Sequence, residues 1–119
     1  MAEVLRFQHE GDCLWVTPQS SHSDLSLSRE MDLLKADIQR SGTLRVIVDL
    51  SQLPYFGSML IDLLVVLWRL IGRRDGRLIL YKPSAIGREV LSAAKLDQLW
   101  PLAETREDAI ALAQTADVA

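Results

Sequence analysis

Two neighbouring apolar segments limit what this chain can become. Residues 44–50, Leu-Arg-Val-Ile-Val-Asp-Leu, are rich in β-branched residues and do not alternate with polar ones. A strand of that kind is buried on both faces, as in the middle of a sheet covered by helices. Residues 59–71 follow shortly and are apolar apart from Asp62 and Arg69. That run is well short of the ~20 residues a membrane span requires, so it predicts a buried helix, from about Ser58 to Arg73. A second short strand, Arg-Leu-Ile-Leu-Tyr at 77–81, comes after "RRDGR". Strand, covering helix, strand is the unit of an α/β protein.

The flanking segments extend the pattern. In "VLRFQH" Leu5, Phe7 and His9 fall on one face and Val4, Arg6 and Gln8 on the other. Gly11-Asp12 separates this stretch from "CLWVTP", which predicts a hairpin, with Pro18 ending the second strand or lying at an edge. "QSSHSD" is polar and predicts a loop. Leu27, Met31, Leu34 and Ile38 form one stripe of an amphipathic helix that stops at Ser41-Gly42. Ile86, Val90 and Ala93 or Ala94 suggest the stripe of a later helix, and "LWPL" a last short strand. "TREDAIALA" opens with Thr105 and Asp108 three apart, close to a capping box, and sets Ala109, Leu112 and Ala113 on one side. The predicted order is ββαβαβα(β)α, with no internal repeat. It implies a largely parallel sheet that carries an antiparallel hairpin at its start.

With 119 residues, the expectation is a single domain over residues 1–119. A domain of this size buries roughly 65% of its unfolded surface and needs no staples. The net charge of -3 argues against nucleic acid or an anionic membrane as the main partner. The one cysteine, Cys13, excludes an internal disulfide framework and suits a reducing compartment. The first ten residues carry neither a basic segment nor a long apolar core, so no secretion signal is read and the expected location is the cytoplasm.

Little in the chain points to catalysis. His9 and His22 are the two histidines, one in a predicted strand and one in a polar loop. No HxH, HExxH or CxxC spacing offers a metal its ligands, and no cofactor is expected. Cys13, in a hairpin strand, reads as a buried structural thiol. No glycine-rich phosphate loop occurs, and Ser58 lies outside any GxSxG elbow. Asp49 ends a buried strand, where α/β proteins often place functional carboxylates, but with no acidic or histidine neighbour in sequence it reads as a turn or cap residue. Ser58 has two readings. A serine before an apolar helical run is a preferred N-cap, worth about 1 kcal/mol. The same helix start also presents free N–H groups and partial positive charge. A phosphate on Ser58 would be held there without loss of the fold, and would add up to two negative charges to the surface.

The segment "VIVDLSQLPYFGSMLIDLL" resembles the centre of the STAS domain, the fold of bacterial anti-sigma factor antagonists. In that family a buried strand ends in Asp-Leu-Ser, and a short link leads to Asp-Ser-Ser/Ala-Gly-Leu-Gly at the start of a helix. Asp49, Leu50 and Ser51 match the strand end, and Ser58 matches the serine that the family phosphorylates. "GRLILYKPSAIGREVLSAAKLDQLW" is similar to the family's next strand, loop and helix. The resemblance implies an α/β STAS-like fold: a mixed sheet of four or five strands with helices packed mainly on one face. It also implies a non-catalytic regulatory module that binds a serine-kinase anti-sigma factor, with a phosphatase as a further partner, and that is switched by phosphorylation of Ser58.

The chain departs from the family motif at four positions. Gly57 stands for the Asp, Met59 for the small residue, Leu60 for the first Gly and Asp62 for the second. Gly57 can adopt the backbone angles of a tight turn. Asp62 follows Ser58 by four residues and lies on the same helical face, where its carboxylate would repel a phosphate. Either Ser58 is phosphorylated by a kinase adapted to this variant, or the docking surface remains without the switch. On the helix, Ser58, Asp62, Val65 or Val66, Arg69 and Arg73 share one face, while Leu60, Leu63, Leu64, Leu67 and Ile71 are expected to pack on the sheet. Met59, Val66 and Trp68 are flank packing or the apolar centre of a partner patch. The expected partner-binding set is therefore Gly57, Ser58, Met59, Asp62, Val66 and Arg69. Two other readings remain: a STAS module without a phospho-switch, serving as assembly scaffold or small-ligand sensor, and a small α/β enzyme.

Overall fold

The computed structural model describes residues 5–19, 24–53, 58–72 and 74–114, and the side chains of 24–28, 58 and 59 fall outside that description. Residues 20–23 of the predicted loop, with His22, the turn at 54–57 with Gly57, and Arg73 therefore lie outside the described residues, and Asp24 at the loop's end already belongs to the first helix. Strand β1 (Leu5–Glu10) pairs antiparallel with β2 (Cys13–Pro18) through the two-residue loop Gly11-Asp12, as the sequence predicts. Gly11 has φ +62, which glycine adopts without steric cost. Helix α1 (Asp24–Ser41) ends at Gly42, whose φ is +72 and whose N–H donates to the Ile38 carbonyl at 2.9 Å. β3 (Arg45–Asp49), α2 (Ser58–Gly72), β4 (Arg77–Tyr81), α3 (Ala85–Ala93), β5 (Leu102–Ala103) and α4 (Arg106–Gln114) follow among the described residues.

The sheet has five strands in the order β1-β2-β3-β4-β5. Beyond the hairpin every pairing is parallel, with Val46 beside Leu14 and Leu78. Side chains alternate across the sheet, which explains why the central strands are apolar throughout. Leu14, Val16, Val46, Val48, Leu78 and Leu80 face one core, shared with Leu34 and Ile38 of α1, five residues of α2, and Leu91 of α3. Cys13, Trp15, Ile47 and Ile79 face the other, closed by Ala103 and by Ala109 and Ala113 of α4. Three helices cover one face and one the other, the distribution expected from the sequence. Each fully buried aliphatic side chain stabilises by about 1.5–3 kcal/mol relative to exposure, so the larger core carries most of the stability.

Polar contacts tie the layers together. His9 Nε2 lies 2.7 Å from Asp37 Oδ2, joining β1 to α1, and Arg40 reaches the other Asp37 oxygen at 3.2 Å. Arg45 of β3 and Arg77 of β4 donate from Nε to the carbonyls of Ala113 and Leu112, at 3.1 and 3.0 Å. They satisfy orphan carbonyls at the C-terminal end of α4, where positive charge is favoured. Arg88 of α3 pairs with Glu104. Thr105 accepts the Asp108 N–H at 3.1 Å, the capping contact predicted for α4.

Two expectations need correction. The face of α3 that packs inward is Gly87 and Leu91, not Ile86, Val90 and the alanines, and Ile86 is 57% exposed. Ser84 is the N-cap of this helix and accepts the Gly87 N–H at 3.0 Å, which fixes where the helix begins, and the buried pair lies one residue later than the apolar spacing suggests. The segment around "LWPL" is not all strand. A short 3-10 turn, Leu96–Gln98, precedes it, and β5 begins only at Leu102.

Candidate functional site

The site is built where β3 leaves the sheet. Asp49 ends the strand, and its Oδ1 accepts from the Ser51 N–H at 2.9 Å and the Ser51 hydroxyl at 2.6 Å. This is an Asx turn, which bends the chain as a backbone turn would. Leu50 is fully buried and donates to the Tyr81 carbonyl at 2.9 Å, so the turn is anchored to β4. Leu53 donates to the Leu50 carbonyl at 3.1 Å and packs against the larger core. Asp49 thus has the turn role read from the sequence.

Ser58 is the first residue of α2. The capping position before it falls on Gly57, outside the described residues, and the Ser58 and Met59 side chains are likewise not described. The rest of the helix sorts as its sequence implies. Leu60, Leu63, Leu64, Leu67 and Ile71 are buried, while Asp62 and Arg69 are exposed. Ser58, Asp62 and Arg69 share one side of the helix by its 3.6-residue period. Val66 is half-buried and adjoins that side, whereas Val65 packs against the core. Trp68 is 37% exposed, with its ring edge-on to the buried Trp100 at 6.4 Å. No acidic residue occupies the first turn of α2, so its N–H groups have no carboxylate of their own to meet.

Among the described residues no cluster of three His, Cys, Asp or Glu side chains could hold a metal ion. An open hollow of about 440 Å³ lies on the α4 side of the sheet, lined by Arg6, Trp15, Asp49 and Arg106 among others. Three of its charged groups are engaged: Asp49 with Ser51, and Arg106 with Glu10 at 2.6 Å while stacked 4.3 Å over the Trp15 ring. Cys13 is buried, and burial pushes its thiol above the ordinary 9.0, reinforced by the Asp12 carboxylate. A thiol held protonated is a poor nucleophile. No helix among the described residues is long and apolar enough to cross a membrane.

Comparison with known proteins places this geometry. A comparison with curated proteins gives no match. Among solved structures, an anti-sigma factor antagonist from Thermotoga maritima superposes with a TM-score of 0.82 at 16% identity, over 93% of this chain and 95% of its own. An anti-sigma-factor antagonist (STAS) domain protein from Planctomyces limnophilus gives 0.77 at 25% identity, over 93% and 98%. The anti-sigma factor antagonist SpoIIAA in its unphosphorylated form gives 0.78 at 17% identity, over 95% and 99%. The family model for the STAS domain matches residues 6–109, from within β1 to within α4, and the chain belongs to that family.

Proposed function

We propose that this chain is a non-catalytic regulatory module of the anti-sigma factor antagonist kind. It docks on a serine-kinase anti-sigma factor through the start of α2 and releases a sigma factor. Phosphorylation of Ser58 by that kinase ends the contact, and a phosphatase resets it. The observation that carries this reading is the position of Ser58 as the first residue of a helix whose inner face is locked into the core, with Asp62 and Arg69 exposed on the side it shares. Similarity to SpoIIAA supports it, since that protein has been solved in unphosphorylated and phosphorylated forms.

The physical basis is the difference between fold and interface. A phosphate at a helix start meets free N–H groups and the positive end of the dipole, so the helix tolerates it. Across an interface the same phosphate adds unpaired negative charge. Loss of ~3 kcal/mol of contact would lower affinity roughly a hundredfold, enough for a switch. The docking set is Gly57, Ser58, Met59, Asp62, Val66 and Arg69, on a single domain spanning residues 1–119 that works in the cytoplasm.

The exposed carboxylate of Asp62 favours a second reading. One helical turn after Ser58, it supplies permanent negative charge beside the proposed phosphate position. In that case the module serves as a scaffold or ligand sensor without a switch. Incubation with the cognate kinase and ATP, followed by mass measurement of wild type and Ser58→Ala, separates the two. Phosphate on the wild type alone supports the switch, and phosphate on neither or on both contradicts it.

A further inference from the structure

The β1 strand lies at one end of the sheet, and among the described residues no strand pairs with its outer edge. Such an edge is a template for another strand unless something blocks it. β1 contains no proline, and its two charged residues of opposite sign, Arg6 and Glu10, are symmetric about Gln8. All three are exposed, and they share the sheet face that bears Trp15 and Arg106. Phe7 packs into the larger core and His9 meets Asp37 of α1, so those two belong to the opposite face.

We infer that the outer edge of β1 is a self-complementary surface on which a second copy of this chain docks antiparallel, with Gln8 on the twofold axis. The backbone permits this register. Glu10 and Cys13 close a two-residue hairpin loop, so Glu10, Gln8 and Arg6 direct their backbone groups toward β2. Phe7 and His9 then direct theirs outward. With Gln8 opposite Gln8 of the second copy, Phe7 and His9 face each other twice and exchange N–H···O bonds in both pairs. The side chains agree with that register. Arg6 falls opposite Glu10 of the second copy twice, and the two Gln8 amides meet at the centre. Neighbouring registers lose this match: a shift one way sets Arg6 against Gln8, and a further shift sets Arg6 against Arg6. Opposite charges placed directly across strands stabilise a pair and like charges destabilise it. Glu10 already holds Arg106, and in the paired state its carboxylate bridges two guanidinium groups.

Sedimentation equilibrium of the full chain across the micromolar to millimolar range tests this, with a concentration-dependent dimer expected. Arg6→Glu places like charges opposite each other twice and should raise the dimer Kd about tenfold or more. The double variant Arg6→Glu with Glu10→Arg should restore association. Because Glu10 also holds Arg106, a second readout is independent of these charges. Gln8→Cys should form a disulfide-linked dimer with oxidised glutathione, whereas Arg6→Cys, about 14 Å from its own copy in this register, should not. Wild type, whose Cys13 is buried, is the control. A monomer throughout the range, a dimer untouched by Arg6→Glu, or equal cross-linking at positions 6 and 8 would overturn the inference.

Discussion

Arg45 and Arg77 stand side by side on parallel strands and together cap a helix that begins far along the chain. They are register partners on β3 and β4, and their Nε atoms donate to successive carbonyls, Ala113 and Leu112, at the end of α4. No basic residue of α4 itself occupies its last turn. The sheet therefore supplies the positive charge that the helix end favours.

Replacing either arginine by Met should lower stability by about 1–2 kcal/mol in urea denaturation, since a charge-assisted hydrogen bond to a helix carbonyl is lost. Amide exchange should accelerate first in the last turn of α4, while α2 stays protected. Equal acceleration in both helices would show that the arginines do not act through α4.

Gly76→Ala should be costly although its backbone needs no unusual angle. A methyl there would lie 2.6 Å from Ile71 Cβ, 2.7 Å from the Ile71 carbonyl and 2.8 Å from the Leu44 carbonyl. Two of these neighbours are backbone, so the turn between α2 and β4 must shift, at a cost of about 1–3 kcal/mol. At Gly11 the space is open and only the positive φ resists a side chain. Gly11→Ala should cost about 1 kcal/mol. Thermal melts of the two variants give the comparison.

Cys13 links stability to alkaline pH. Its folded-state thiol titrates above the ordinary 9.0 because it is buried beside Asp12. A raised folded value means that the folded state holds the proton more tightly than the unfolded one. The stabilisation is fully present below the unfolded value and is lost as pH rises through the folded one. Chemical denaturation should show stability falling above about pH 9, with a shallower fall in Cys13→Ala. Native protein should also react slowly with iodoacetamide.

Ser58→Asp should separate folding from docking. The first turn of α2 lacks an acidic residue, so a carboxylate at position 58 meets the positive helix end. The variant should be neutral or more stable by up to about 1 kcal/mol. Its affinity for the anti-sigma factor should fall, while Ser58→Ala keeps binding. A Ser58→Asp variant that melts early would mean that weakened binding reports misfolding.

Much of the fold is legible in the sequence because the sheet is buried on both faces. Val46, Ile47 and Val48 cannot sit anywhere else, and the leucines of α2 repeat at helical spacing against Val46 and Val48. Gly11 and Gly42 mark a turn and a helix end. The phase of α3 was not legible from apolar spacing, because Ile86 and Val90 repeat at the same interval as Gly87 and Leu91, and the latter pair is the buried one. The Arg45 and Arg77 caps were not legible either, since their partners lie 68 and 35 residues away. At the candidate site, Asp49 announces its turn by ending an apolar strand, and Ser58 announces the helix by preceding an apolar run. A docking surface leaves a fainter trace, because exposed residues such as Asp62 and Arg69 face no packing constraint that fixes their identity.

The most direct test is intact-mass measurement after incubation of wild type and Ser58→Ala with ATP and the cognate anti-sigma kinase, paired with binding before and after the reaction. Phosphate should appear on wild type alone, with affinity falling roughly a hundredfold while the melting temperature barely moves. Unmodified wild type, or phosphate that leaves binding intact, would contradict Ser58 as the switch.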